Sequence, residues 1–482
     1  MGGRAISTDG VDLTPRFLDV LKIRAFAAVY FAEVQSVLGD QLARVALSVL
    51  VFERTDSAAA TALTYAATFL PAVLGGVLLS GVGERFSPRL IMVGCDLVRA
   101  GLFAAMAIPG LPIAATVALL VVAVFLGPAF SSSEVSYLAA VLERERFRVG
   151  TGLRMITSQI SQVAGFALGG IVVAQFDPRG ALLVDAATYA LSAVVIAAAL
   201  RRSSEPSTSG ERAEETEPPI GRRAVRSLWG DRRLRTLVGL CWLAGFFVVP
   251  EGLAVPFGDQ IGASTTRTGL LFASIPFGGA IGAILLIRWV KPRNRERTAR
   301  WMALAVGIPL IPSVLEPHWL PVIALWTVSG AFAAYQVEVT TLIAQAIPDR
   351  DRPRLLSIVS AGLIGAQGVG LGVFGGVAEL TGAATAIGLA GATGALAAAA
   401  LCATASGTFP RVKARPAPAH AASNTGRRKA ATPYPQVGPA VSVKANGFAH
   451  NGAESGDGGL PITPTGGTTT ARHRAGRAEK RA

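Results

Sequence analysis

Charge is scarce in this chain of 482 residues. Only 16% are Asp, Glu, Lys or Arg, whereas soluble domains carry about 25%. Cysteine is scarcer still: Cys95, Cys241 and Cys402 each fall inside an apolar stretch, which excludes a disulfide scaffold and a multi-cysteine metal site. Three of the four histidines lie beyond residue 407, so no zinc cluster or histidine base emerges. There is no Gly-x-x-x-x-Gly-Lys loop to cradle a nucleotide, and no nucleophile–base set stands at usable spacing. The sequence therefore predicts neither an enzyme nor a bound cofactor. Asp9, Asp12 and Asp19, followed by Glu33, Asp40 and Arg44 inside the first apolar run, exclude a cleavable signal peptide.

Apolar sequence is what the chain has in abundance. Hydrophobic residues make up 51%, and a mean hydropathy of +0.48 exceeds what one buried core accounts for. Stretches of bilayer length recur about every 32 residues between 24 and 406. They include 25–50, 60–82, 113–141, 235–258, 319–346 and 355–378, and they predict an all-α membrane protein of twelve transmembrane helices. With the amino terminus placed inside, 40 of the 45 Lys and Arg fall on the inner side. Only Arg54, Arg179 and Arg267 fall outside, and Arg44 and Arg99 lie within spans. Such a bias fixes topology during insertion, and it predicts a multi-pass plasma-membrane protein with both termini cytoplasmic. The net charge of +14 thus reads as topology and lipid contact rather than nucleic-acid binding.

The chain also repeats itself. Leu-Glu-Arg-Glu-Arg-Phe-Arg at 142–148 precedes Gly169-Gly170, and Pro-Asp-Arg-Asp-Arg-Pro-Arg at 348–354 precedes Gly375-Gly376, at the same spacing and an offset of 206. Leu70-Pro71 returns as Ile275-Pro276 at an offset of 205. An even number of spans returns the chain to its starting side, so the two six-helix repeats are parallel, and such halves place a substrate site at their interface. The predicted organisation is an arm (1–23), a first bundle (24–200), a cytoplasmic linker (201–234), a second bundle (235–406) and a tail (407–482) too polar to fold.

Ionisable side chains inside a span are costly and are candidates for function. At 100° per residue Glu33, Ser36, Asp40 and Arg44 form one polar stripe on the first helix. Asp40 sits at mid-span, and it serves either transport or a structural pairing with Arg44. Glu338, Thr341 and Gln345 form a second stripe with Thr327 on the tenth span. Glu134 is the repeat partner of Glu338, and Tyr137, Gln159 and Gln162 offer further hydrogen bonds. Glu251, after Pro250, falls in the outer half of the seventh span. Asp96 with Arg99 reads as a structural pair.

Ser80-Gly81-Val82-Gly83-Glu84-Arg85-Phe86-Ser87-Pro88-Arg89 resembles the loop signature of the major facilitator superfamily, Gly-x-Leu-Ala-Asp-Arg-x-Gly-Arg-Arg, with Glu84, Arg85 and Arg89 retained in kind. Leu38-Gly39-Asp40-Gln41-Leu42-Ala43-Arg44, Cys95-Asp96-Leu97-Val98-Arg99-Ala100 and Asp185-Ala186-Ala187-Thr188-Tyr189 are similar to the macrolide-efflux and siderophore-export branch. Gly165-Phe166-Ala167-Leu168-Gly169-Gly170 is similar to the antiporter signature Gly-Pro-x-x-Gly-Gly, with Phe166 at the proline position. Gly165 and Gly169, and Gly372 and Gly376 on the eleventh span, keep small residues one turn apart for close helix packing. The fourth span lacks the arginine of many proton-coupled exporters.

The resemblance implies a monomeric carrier working by alternating access, with the 84–89 loop gating against the eleventh helix. It also implies proton-driven export of a small amphipathic or drug-like compound. An importer or lysophospholipid transporter of the same fold, and a non-transporting sensor or scaffold, are the alternatives.

Overall fold

The computed structural model describes residues 17–79, 81–200, 229–291, 294–316, 318–348 and 351–405. Among them there is no strand. The long helical segments are α1 (Arg24–Thr55), α2 (Ala58–Leu78), α3 (Pro88–Met106) and α4 (Ile113–Val141), followed by one segment over Arg144–Leu200. Asp177, at φ 60°, breaks that segment into α5 (144–176) and α6 (178–200). Beyond the linker come α7 (Arg232–Gly252), α8 (Thr265–Trp289), α9 (Arg295–Leu315) and α10 (Trp319–Ala346), then α11 (Arg352–Thr381) and α12 (Ala383–Ala405). Ten of the segments have the length and apolar composition of a membrane crossing, with Arg144–Leu200 counted as one and α3 not among them.

Local chemistry sets the boundaries. Ser57 caps α2 by accepting from Ala60 N at 3.1 Å, and Ser87 caps α3, whose first residue is Pro88. These supply partners that the first turn of a helix lacks. At the break, Asp177 Oδ1 accepts from Arg179 N (2.7 Å) and Gly180 N (3.0 Å), while Pro178 supplies no N–H to continue α5. Asp231 caps α7, so that helix starts at Arg232, three residues before the expected boundary at 235. The rest of the expected linker, over 201–228, the arm before residue 17 and the tail beyond 405 lie outside the described residues.

Two apolar cores form. A smaller one joins Phe26, Met92, Phe130, Tyr137, Leu138 and Ile196 within the first bundle. A larger one runs through both bundles, with Phe166 stacked on Phe272 at 5.4 Å between ring centres. The bundles meet along α5–α8 and α2–α11. A Cβ on Gly170 would lie 2.7 Å from Gly269 Cα, and one on Gly375 would lie 2.9 Å from Ala62 Cβ. Both approaches lie near the end that carries the turns at 55–57, 177–180, 261–264 and 381–383. Toward the opposite end the same faces separate. On α5 the stripe of Gly170 and Phe166 continues through Gln159, Ile156 and Met155, which are exposed, and on α8 the stripe of Gly269 continues to the exposed Ile287. The bundles are thus joined at one end and parted at the other.

Candidate functional site

Near the parted end, α1, α4 and α5 bring three charges together. Arg154 Nε donates to Glu33 Oε2 at 2.5 Å and its Nη2 to Glu33 Oε1 at 2.9 Å. The same Nη2 lies 2.7 Å from Glu134 Oε2. Side-chain exposure is 13% for Arg154 and 3% for Glu134, so these charges are held largely by each other. Among the described residues Glu134 Oε1 has no hydrogen-bond partner, nor do the buried Tyr137 hydroxyl, Ser133 Oγ and Ser36 Oγ. Sequence reasoning missed Arg154. A cation two residues into the expected span at 152–175 sorts with the adjacent basic loop, and only the crossing of three helices reveals its partners.

Halfway along α1, the Tyr189 hydroxyl of α6 donates a very short hydrogen bond to Asp40. Among the described residues Asp40 and Arg44 form no ion pair. The Tyr189 ring stacks on Phe103, at 5.5 Å between centroids, and the Arg99 guanidinium lies 5.0 Å from its centroid. Arg99 Nε also donates to the Ala123 carbonyl at 3.0 Å. The expected Asp96–Arg99 ion pair does not form; Asp96 accepts instead from Ser192 Oγ at 2.5 Å. A partner packed from α6 wins over one three residues along the same helix, because Arg99 has the Tyr189 face and a carbonyl to satisfy it. Asp185, fully buried, accepts from Thr188 Oγ1 at 3.1 Å and packs against Gly39. A cavity of about 440 Å³ opens beside Asp40, lined by Arg44, Phe69, Arg99, Leu120 and Tyr189 among others, all between residues 40 and 189.

Where the halves join, the Tyr65 hydroxyl of α2 donates to Glu251 Oε2 of α7 at 2.6 Å, and the Arg44 charge acts on both. Arg44 thus acts on a pair that joins the two halves, and it lines the same cavity as Asp40. Closer to the rim, the Glu379 carboxylate of α11 accepts from Ser57 Oγ (2.9 Å) and Ala59 N (3.1 Å).

The remaining predicted residues scatter. Glu338 is buried on α10, with Arg295 and Glu296 the charges that act on it. Gln345 and Gln159 are exposed and Gln162 half-buried. In the 84–89 loop the Glu84 side chain lies outside the described residues, Arg85 is exposed, and Arg89 Nη2 donates to the Ala197 carbonyl of α6 at 3.3 Å rather than reaching α11. Cβ atoms on Gly165 and Gly169 would press on α1, at 2.8 Å from Leu38 O and 3.2 Å from Leu42 Cα, while Gly170 faces α8. On α11 the expected pair is displaced. Gly376 meets open space and Gly372 makes only ordinary contact with Leu63, whereas Gly375 packs tightly on α2 and Gly370 on Gly245 of α7. Adjacent glycines point about 100° apart on a helix, so spacing alone does not choose the packed face.

The Major Facilitator Superfamily model matches residues 29–315 and, in a second match, 252–441. The multidrug efflux pump Tap of Mycobacterium tuberculosis is 26% identical over 323 residues, covering 61% of this chain and 72% of that protein. An uncharacterised MFS-type transporter of Bacillus subtilis, YkuC, is 25% identical over 184 residues, and the chain spans 42% of its length. Among solved structures, an inward-facing, occupied bacterial homolog of the human lysosomal transporter Spinster aligns over 80% of this chain and 96% of its own, with TM-score 0.62 and 14% identity. A D-xylose–proton symporter aligns over 80% and 97%, with TM-score 0.58 and 16% identity. With the family model covering most of its length, this chain belongs to the major facilitator superfamily.

Proposed function

We propose that the chain is a secondary active transporter that exports a small amphipathic or drug-like compound across the plasma membrane by proton antiport. In this reading the ten apolar segments, with Arg144–Leu200 counted as two and α3 added, make twelve crossings in two six-helix repeats. The observation that carries it is the one-sided joining of the bundles around ionisable side chains. An inter-bundle cleft open at one end only is one half of an alternating-access cycle, and such a cycle runs in the direction set by differential affinity for its two states. The Lys and Arg bias assigns the parted end to the cytoplasm, which makes this the state that loads cargo from inside. In this reading Glu33, Glu134 and Arg154 serve the cleft from the first half, and Glu338 from the second. Likeness to the pump Tap supports export of drug-like cargo over import.

The test is flux in inverted vesicles from a host stripped of its own pumps, with ethidium as the amphipathic cation and an imposed pH gradient. The wild-type chain accumulates ethidium when the lumen is acid, and collapse of the gradient abolishes accumulation. Asp40→Asn, Glu134→Gln and Glu338→Gln insert normally, and at least one loses gradient-driven uptake by tenfold or more. Unchanged uptake in all three removes the carboxylate mechanism.

A further inference from the structure

The first bundle contains more buried acid than its ion pairs account for. Asp96 on α3 is 1% exposed and Asp185 on α6 is fully buried. Each has one carboxylate oxygen bonded to a hydroxyl of α6 and one with no partner, Asp96 Oδ1 and Asp185 Oδ2. Asp40 lies within electrostatic reach of both. Arg99 is the cation that acts on all three carboxylates, and its own faces are taken by Tyr189 and the Ala123 carbonyl. The other groups facing the cluster are Cys95 of α3, Tyr189, Thr188 and Ser192 of α6, and Glu134 of α4. Arg44, one turn from Asp40 on α1 and lining the same cavity, also acts on Glu251 and Tyr65. With Arg44 and Glu251 counted as well, two guanidiniums stand against four carboxylates in a low-dielectric interior, which leaves charge that something else must balance, since an uncompensated buried charge is costly.

Two further observations say what balances it. The cavity of about 440 Å³ is lined by Asp40, Arg99 and Tyr189 with other first-bundle residues and by none of the second bundle, so the cluster borders a space that belongs to the first bundle. And among the described residues no three His, Cys, Asp or Glu converge closely enough to hold a metal ion. A proton needs only one oxygen, where a metal ion needs several.

We propose that the first bundle carries a proton-binding cluster of its own, Asp40, Asp96 and Asp185 about Arg99 and Tyr189, served by the cavity that first-bundle residues alone line and distinct from the substrate cleft. Asp40 exchanges protons with cavity water, and Asp96 and Asp185 hold them behind it. This deepens the antiport reading by separating the proton's seat from the cargo's, and in doing so it rests on that reading.

The proton itself is the probe. Infrared difference spectra of the purified, lipid-reconstituted chain across a pH titration report protonated carboxyl groups by their C=O stretch. The wild type shows bands of carboxylic acid in a dry setting. Asp96→Asn and Asp185→Asn each remove a component, and the double variant removes most of the amplitude. Asp185→Glu returns a shifted band, which distinguishes loss of a proton seat from misfolding. Spectra of the double variant that match the wild type overturn the proposal. So does a band abolished by sodium at constant pH, which assigns the cluster to a metal cation. Failure of ethidium flux with these bands intact counts against antiport but not against the cluster, so the two readings fail separately.

Discussion

Arg154 carries the sharpest consequence of a single side chain. Among the described residues it is the one cation bonded to both Glu33 and Glu134, and removing one member of a buried ion set costs more than the set contributes, about 3–5 kcal/mol. Arg154→Gln should therefore lower the thermal unfolding midpoint in detergent by many degrees. The triple variant Arg154→Gln, Glu33→Gln, Glu134→Gln should recover most of the loss, because it leaves no bare charge. A triple variant as unstable as the single one would show that Arg154 acts by packing rather than by charge. At this scale the sequence was half legible. Helical periodicity placed Glu33 and Asp40 on one stripe, and hydropathy marked Glu134 as an acid inside a span. The partners were not legible. Neighbours along a helix suggested Asp40–Arg44 and Asp96–Arg99, but Tyr189, Ser192 and Arg154 arrive from helices more than 90 residues away. A side chain bonds to what the helix crossing delivers.

Glycines do for whole helices what Arg154 does for charges. Gly170 and Gly269 bring α5 and α8 into backbone contact, each standing where a Cβ would lie under 3 Å from the other's Cα. In lipid, where apolar surface gains nothing by leaving the solvent, such close packing is a main source of helix association. Gly269→Val should push the pair apart at the joined end while leaving each bundle intact. Spin labels on the exposed Thr55 and Thr381 would read this as a longer, broader distance distribution than in the wild type. An unchanged distribution would mean that the α2–α11 contact alone holds that end. The need for small residues on α5 was legible in the sequence. That Gly165 and Gly169 serve α1 while Gly170 serves α8 was not, because neighbouring glycines differ only in direction. The same ambiguity moved the packed positions on α11 to Gly370 and Gly375.

For the molecule as a whole, the joined end is a shutter that must open once per cycle, and Glu379 sits on its rim. Its carboxylate meets the first turn of α2, where unpaired N–H groups concentrate partial positive charge. It takes Ala59 N there together with the Ser57 hydroxyl that caps the same helix. The bond joins one bundle to the other, so it exists only while this end is shut. It therefore biases the equilibrium rather than the stability of either half. Charge-assisted hydrogen bonds contribute about 1.5–3 kcal/mol when buried, and an exposed rim pair contributes less, so the expected effect is a shift of a few-fold, not a collapse. Glu379→Gln keeps the shape and removes the charge, and Glu379→Ala removes both. The population with the labelled Thr55–Thr381 pair far apart should rise in the order wild type, Gln, Ala, with the unfolding midpoint nearly constant. The same latch predicts an acid response. Protonating Glu379 takes away the anion that α2 attracts, so acidifying the side it faces should raise the open population in the wild type and leave the Ala variant flat. On the topology proposed above that side is the one from which protons enter, and a pump driven by them would open there when they are plentiful. Equal acid responses in the wild type and the Ala variant would move that sensitivity away from Glu379 and into the interior carboxylates.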